Sequence, residues 1–385
     1  VIEEVSVDKP QDMLSRVKQL VAGRFLGRQG RMPGLDALRG IAALMVVIYH
    51  YTARYPEVVA PHSEGLLFSF PYASIGVQVF FAISGFVIFM TLERCRSGRD
   101  FFVSRFARLY PPFVACMLLT SGVTFASGFN PRGLHGGDVL LNLPMVVGLL
   151  DRVYVDGSYW TLTCEISFYV LIAAFFYMIQ RRVLGRNEGS FDRVKGNPLL
   201  IGVALWMVVT VLGRSYADDM YTRWSLAFNF MYGHLFVVGI AVYGLTKGRL
   251  LVPLLLLAMA VLAGAMPVLG QFSIGAAIKF FGIGVLVWIA AHLQMQGRVA
   301  ALAAFLGGIS YSLYLLHQMI GYLLIYKLEA AGMGASLAVL LTTAAMMVLA
   351  YLVRRTVEIP AQNGILAWYA PWKAKTIAPV ATGPA

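Results

Sequence analysis

Charge is what this sequence has least of. Asp, Glu, Lys and Arg make up 13% of its 385 residues against 59% apolar ones, and the mean hydropathy is +0.72. A set of soluble domains would carry about twice that share of charge, so water is not the main solvent of this chain. Cysteine is also scarce. Cys95, Cys116 and Cys164 lie in or beside apolar segments without metal-ligand spacing, so neither a disulfide framework nor a metal site is expected. The first long apolar run begins only near Leu35, so no cleavable signal peptide is expected in the opening residues. Alternating polar positions are absent from the apolar runs, which excludes a lipid-facing β-barrel.

What is present is a series of long, uncharged stretches, each about 20 residues long, the length a helix needs to cross hydrocarbon with every backbone group paired internally. The pattern predicts an all-α, polytopic transmembrane bundle with about ten helices. They fall near 36–54, 75–92, 106–128, 160–180, 199–214, 226–246, 250–268, 271–292, 302–325 and 336–354. The segment 138–150 is too short to cross and reads as a re-entrant or interfacial piece. On a soluble protein the net charge of +12 would suggest nucleic acid; here no nucleic-acid partner is expected and the charge reports topology. Most of the 31 Lys and Arg fall in the terminal segments and loops that an even number of spans places on one side, so both termini are expected in the cytoplasm. Residues 1–33 then form a cytoplasmic segment, with an amphipathic interfacial helix over 11–27 against anionic membrane lipids. Residues 34–360 form the membrane domain, and 361–385 form a cytoplasmic tail that ends in a disordered, Ala/Pro-rich stretch.

Ionisable residues inside such spans cost several kcal/mol and normally face an interior cavity. Asp36, Arg39, His50, Glu165, His234, Lys279 and His317 are so placed. Arg39 and His50 are eleven residues apart, which on a helix puts them within about 20° of one another in azimuth and about 16 Å apart in height. Asp36 lies where it can pair with Arg39 at i,i+3. Counted from their helix ends, His50, His317 and Glu165 all reach the outer third of the bundle. Two imidazoles and a carboxylate at one level can supply a base, an orienting acid and a second proton carrier. On the opposite side Arg105 and Arg108, in FFVSRFARLYPP, offer guanidinium forks suited to phosphate, or an ordinary positively charged flank. Gly76, Ser84 and Gly85 permit close backbone approach, Gln78 is a polar lining residue, and Ser310, Tyr314 and His317 share one helical face.

Taken together these segments resemble the membrane-bound acyltransferase-3 family, which includes O-acetylases of bacterial surface glycans. The resemblance covers about residues 34–360 and rests on LDALRGIAALMVVIYH (35–50), GVQVFFAISGFVIFMT (76–91), SRFARLYPP (104–112), SYWTLTCEISFY (158–169), ISYSLYLLH (309–317) and VEIP (357–360). It implies a multi-pass protein of the bacterial inner membrane that takes acyl-CoA, acetyl-CoA foremost, from the cytoplasm. The donor's phosphates would lie near Arg105 and Arg108, with Arg39 also on the donor's side, and the backbone of Ser84 and Gly85 is a candidate, with Tyr314, for stabilising the oxyanion. His50, Glu165 and His317 would carry the chemistry, and Asp36, Gln78, Tyr314 and Trp160 would meet a glycan or glycolipid acceptor. Gln78 stands where many members have Asp, and Cys164 where Val is common. No hydrolase-like domain follows the last span, so a stand-alone member is expected. Two courses stay open, direct transfer with His50 as base and transfer through an acylated His50. The same buried charges would also serve a proton-coupled transporter or a lipid-linked-sugar flippase. Nothing in the sequence fixes the oligomeric state.

Overall fold

The computed structural model describes residues 32–59, 66–95, 97–183, 197–216, 222–266 and 271–377; the expected interfacial helix over 11–27 lies outside them. Among the described residues the secondary structure is helical throughout, with no strand. The helices are α1 Pro33–Tyr49, α2 Tyr55–Val58, α3 Ile75–Arg94, α4 Gly98–Ser127, α5 Gly136–Asn142, α6 Trp160–Val183, α7 Asn197–Tyr216, α8 Arg223–Phe228, α9 Gly233–Thr246, α10 Leu251–Ala265, α11 Ile274–His292, α12 Gly297–Ala330, α13 Ala335–Val353 and α14 Ile359–Ile377.

Among the described residues seven helical segments are long and apolar enough to cross a membrane, those within 71–94, 98–127, 157–175, 223–246, 274–292, 297–330 and 335–372. Two shorter apolar helices, Gly202–Arg214 and Leu251–Ala265, lie where two further spans were expected. Large apolar side chains such as Leu254, Leu255, Ile278, Phe281, Leu286, Leu340 and Leu341 point outward, which suits hydrocarbon and not water. The chain is a multi-pass membrane protein.

Without a hydrophobic drive between helices in lipid, close approach depends on small residues at the crossings. Two crossings fix the site. Where α1 meets α12, a Cβ on Gly307 would stand 2.4 Å from the carbonyl oxygen of Asp36, and one on Gly40 would stand 2.5 Å from Cβ of Leu306. Where α3 meets α9, a Cβ on Gly85 would stand 2.0 Å from the carbonyl oxygen of Phe236, and one on Gly239 would stand 1.9 Å from that of Ala82. No real Cβ fits at those distances, so α1 lies flush on α12 and α3 on α9.

Several expected boundaries move, each for a local reason. Helix α4 begins at Gly98, earlier than the expected 106, because the Ser97 hydroxyl caps it by accepting from the Asp100 amide at 3.1 Å. Arg105 and Arg108 therefore lie inside a helix, not at its mouth. The 138–150 segment contains only the end of seven-residue α5 and a 3₁₀ turn at Val147–Leu150. The chain after it enters the bundle, with Asp156, Ser158 and Tyr159 at most 2% exposed. The C-terminal segment expected to be a tail stays helical to Ile377. There α14 docks on α4, and the Tyr369 hydroxyl donates to Asp100 at 3.0 Å.

Candidate active site

The ends of α1 hold the two halves of the site. Near its start, Arg39 reaches into a cavity lined also by Ser84, Arg105, Arg108, Thr161, Glu165 and Tyr314. Phe80, Phe81, Leu109 and Leu162 supply its apolar wall. Three guanidinium groups against one carboxylate leave the cavity positively charged. Asp36 stands 3.9 Å from Arg39, and Glu358, held by the Ser312 hydroxyl at 3.0 Å, is close enough to Arg108 and Arg39 to feel their charge. Arg105 donates to the Thr91 hydroxyl at 3.2 Å, while its buried Nε has no acceptor. A buried guanidinium with an unused donor beside two others is suited to an anionic, phosphate-bearing ligand.

Glu165 belongs to this cavity. Its carboxylate accepts from the Ser84 hydroxyl at 3.0 Å and from the Tyr169 hydroxyl one turn on. The expectation that it meets the two histidines at one level is corrected by the path of the preceding chain. Helix α6 starts from a buried loop, not from the bundle's surface, so five residues of helix carry Glu165 down to the arginines. Tyr169 was missed, although its i+4 spacing from Glu165 would have found it.

At the other end of α1 the helix widens into a π turn at His50–Arg54, a feature that often marks a functional site. His50 Nδ1 lies 2.9 Å from the carbonyl oxygen of Val46 and 3.2 Å from Nε2 of His317. Nδ1 of His317, a fully buried residue, lies 2.7 Å from the carbonyl oxygen of Tyr314. Carbonyl oxygens only accept, so in the neutral pair His317 carries its proton on Nδ1 and His50 on its own Nδ1. The His50 proton is shared between Val46 and His317, and Nε2 of His50 is left with a free lone pair. Such a nitrogen can act as base or nucleophile.

Tyr314 separates the halves. Its ring lines the cavity and lies 5.6 Å from that of His317. Its hydroxyl donates to the Ser158 carbonyl at 3.0 Å and lies 2.8 Å from the Thr161 hydroxyl. The buried loop before α6 clamps the same stretch of α12. Asp156 accepts from the Met319 amide at 2.9 Å and from the Ser158 hydroxyl at 2.6 Å, and Tyr159 donates to the Leu315 carbonyl at 3.2 Å. Asp156 is thus a buried carboxylate beside the stretch of α12 that carries His317. Sequence reasoning passed over it because it precedes the apolar run.

The other expected site residues lie elsewhere. Gly85 is turned to α9, outside the cavity. Trp160 packs between Phe81 and Tyr232, at 6.1 and 5.1 Å. Gln78 has a buried side-chain oxygen without a hydrogen bond and does not line the cavity. His234 bonds Arg214 at 3.1 Å, apart from both halves.

A helical membrane bundle with a cationic cavity on one side of a tyrosine and a paired imidazole on the other defines a class of membrane-embedded transfer enzyme. The model of one family, described as an acyltransferase domain, matches residues 32–355, and the chain belongs to that acyltransferase-3 family. It is 26% identical over 310 residues to the acyltransferase MdmB of Streptomyces mycarofaciens, covering 75% of this chain and 79% of that protein. It is 37% identical over 149 residues to an O-acetyl transferase of Shigella phage Sf6, covering 35% of this chain and 43% of that one. It is also 26% identical over 162 residues to the O-acetyltransferase OatA of Staphylococcus aureus, covering 40% of this chain and 22% of that one. No solved structure matches. The protein is thus an acyltransferase, one that transfers groups other than aminoacyl groups.

Proposed function

We propose that the protein is an O-acyltransferase, and more narrowly an O-acetyltransferase. In this reading it moves the acyl group of cytoplasmic acyl-CoA to a hydroxyl of a glycan or glycolipid at the outer face of a bacterial inner membrane. The distribution of Lys and Arg supports a ten-span arrangement with both termini inside, in which the arginine cavity would face the cytoplasm and the histidine pair the outside. Two of the similar proteins carry the name O-acetyltransferase, which supports the acetyl group.

One observation carries this reading: Tyr314 lines the cavity that holds Arg39, Arg105 and Arg108, its ring centre is 5.6 Å from that of His317, and His317 is paired with His50. The arginines hold the donor's phosphates while the apolar wall of Phe80, Phe81 and Leu162 takes its uncharged arm. His50 Nε2 removes the acceptor's hydroxyl proton as the oxygen attacks the thioester carbonyl. The C–S bond breaks, the proton passes to the departing thiolate, and ester and free thiol result. His317 keeps the proton of His50 on Nδ1, so that Nε2 remains the basic atom.

The test is reconstitution in vesicles with radiolabelled acetyl-CoA and a surface-glycan extract. Transfer of label to an alkali-labile ester, in the absence of any proton gradient, is the expected result. Gradient-driven uptake of solute without ester formation would overturn the reading in favour of a carrier.

A further inference from the structure

Beyond His317, helix α12 presents two polar groups that nothing so far explains. Gln318 is 9% exposed and Tyr322 2%, and as i,i+4 neighbours they share a face. The side-chain oxygen of Gln318 and the hydroxyl of Tyr322 are both buried and meet no partner at full hydrogen-bond geometry among the described residues; the Gln318 amide lies near enough to the Tyr322 hydroxyl to interact with it, which leaves the Gln318 oxygen and the Tyr322 proton unused. A buried polar atom in that condition costs about 1–3 kcal/mol.

Three of the surrounding hydroxyls are committed: Tyr51 donates to the His317 carbonyl at 2.7 Å, Tyr55 to Glu329 at 2.7 Å and Thr52 to the Ile48 carbonyl at 2.7 Å. Gln318 and Tyr322 are, among the described residues, buried polar groups left over near the histidines, with the Tyr322 ring centre 6.5 Å from that of His50. Opposite lie the Gly157 backbone and the Arg132 guanidinium: a Cβ on Gly157 would stand 2.7 Å from both terminal atoms of the Gln318 amide and 2.9 Å from Nη1 of Arg132. Asp156, next to Gly157, ties this backbone to α12 through the Met319 amide.

We propose that Gln318 and Tyr322, facing Gly157, form the acceptor subsite and select a vicinal diol. In this assignment, which rests on the transfer reading above, one hydroxyl gives its proton to His50 Nε2 and attacks the thioester. Its neighbour donates to the Gln318 oxygen and accepts from the Tyr322 hydroxyl. The neighbouring hydroxyl is unchanged by the reaction; it fixes which oxygen is presented. A monohydric alcohol leaves both protein groups unsatisfied and is disfavoured, since a site built to bond a hydroxyl rejects an analogue that lacks it.

The experiment compares two probes in vesicles with saturating acetyl-CoA: methyl β-D-glucopyranoside, which carries vicinal hydroxyls, and tetrahydropyran-2-methanol, which carries one hydroxyl on the same ring. The expected preference in kcat/KM is tenfold or more for the glucoside. Gln318→Leu and Tyr322→Phe should each lower that ratio by about tenfold, the worth of one hydrogen bond. Gly157→Ala, which displaces the Gln318 amide without removing it, should lower it as well. Acetyl-CoA binding by calorimetry on the same preparations shows that each variant is folded. A ratio near one in the unaltered protein, a ratio unmoved in all three variants, or no transfer to the glucoside while acetyl-CoA is still hydrolysed overturns the subsite and leaves the donor reading standing. No consumption of acetyl-CoA at all overturns the donor reading itself.

Discussion

The arginine side of the bundle and the histidine side are built by opposite means, although one helix, α1, contributes to both. The first is an open cavity in which long charged side chains converge from α1 and α4, and their donors are only partly used. In the second the reacting rings themselves are fixed, each imidazole held by a backbone carbonyl and by the other ring. Flexible cations around a cavity suit binding, where a ligand supplies the missing partners. A proton fixed on a known nitrogen suits chemistry, where a wrong tautomer would leave no lone pair to react. The difference is expected to appear in kinetics: the histidine side should control kcat and the arginine side the requirement for donor.

The sharpest way to break that division is at His50. His50→Ala should reduce acyl transfer by about a thousandfold or more, within the range ascribed to a positioned general base, while thermal stability of the detergent-solubilised protein changes little. Residual transfer above a tenth of the original rate would remove His50 from the reaction. His317→Gln comes next, with kcat falling about a hundredfold and the KM for acetyl-CoA unchanged. Its mechanism is indirect: the Nε2 that fixes the His50 proton is gone. A rise in donor KM with unchanged kcat would mean that the two sides are not separate.

On the other side, Arg105→Ala should raise the KM for acetyl-CoA about tenfold to a hundredfold, the worth of a charge-assisted hydrogen bond. Initial rates across a donor titration check this, and kcat at saturation should stay within a few-fold. The same change tested with acetyl-pantetheine, which lacks the nucleotide phosphates, should have little effect. An equal loss with both donors would show that Arg105 does not read phosphate.

How much of this was legible in the sequence differs between the halves for a physical reason. Helical spacing alone puts Arg39 and His50 on one stripe, because a regular helix fixes azimuth, and it places Arg105 and Arg108 beside one another on α4. Counting from the helix ends brought His317 to the level of His50, and the two rings lie 3.2 Å apart in the structure. What spacing could not supply was the depth at which α6 begins. That depends on the loop around Asp156, whose burial comes from hydrogen bonds to α12 that are 156 to 163 residues distant in sequence. The error displaced Glu165 from one half of the site to the other and hid Asp156 altogether. The π turn at His50 was equally invisible, since an ordinary apolar helix pattern runs straight through it.

Glu165 therefore offers the smallest effect and the finest test. In the structure its carboxylate accepts from Ser84 and Tyr169 and sits among three guanidinium groups. Glu165→Gln keeps an oxygen for both hydroxyls and removes only the negative charge. An anionic donor then meets a more positive cavity, so its KM should fall or hold steady, and kcat should change by no more than about threefold, under 1 kcal/mol in barrier. Were the carboxylate serving the histidines, as its count from the helix end suggested, the same substitution would act like loss of an orienting acid. It would then cost about a hundredfold to ten-thousandfold in kcat. The two outcomes are far enough apart for a single saturation curve to decide between them. A large loss in kcat would mean that the halves rejoin during turnover, with α6 moving relative to α12 and breaking the Asp156–Met319 clamp as it does so.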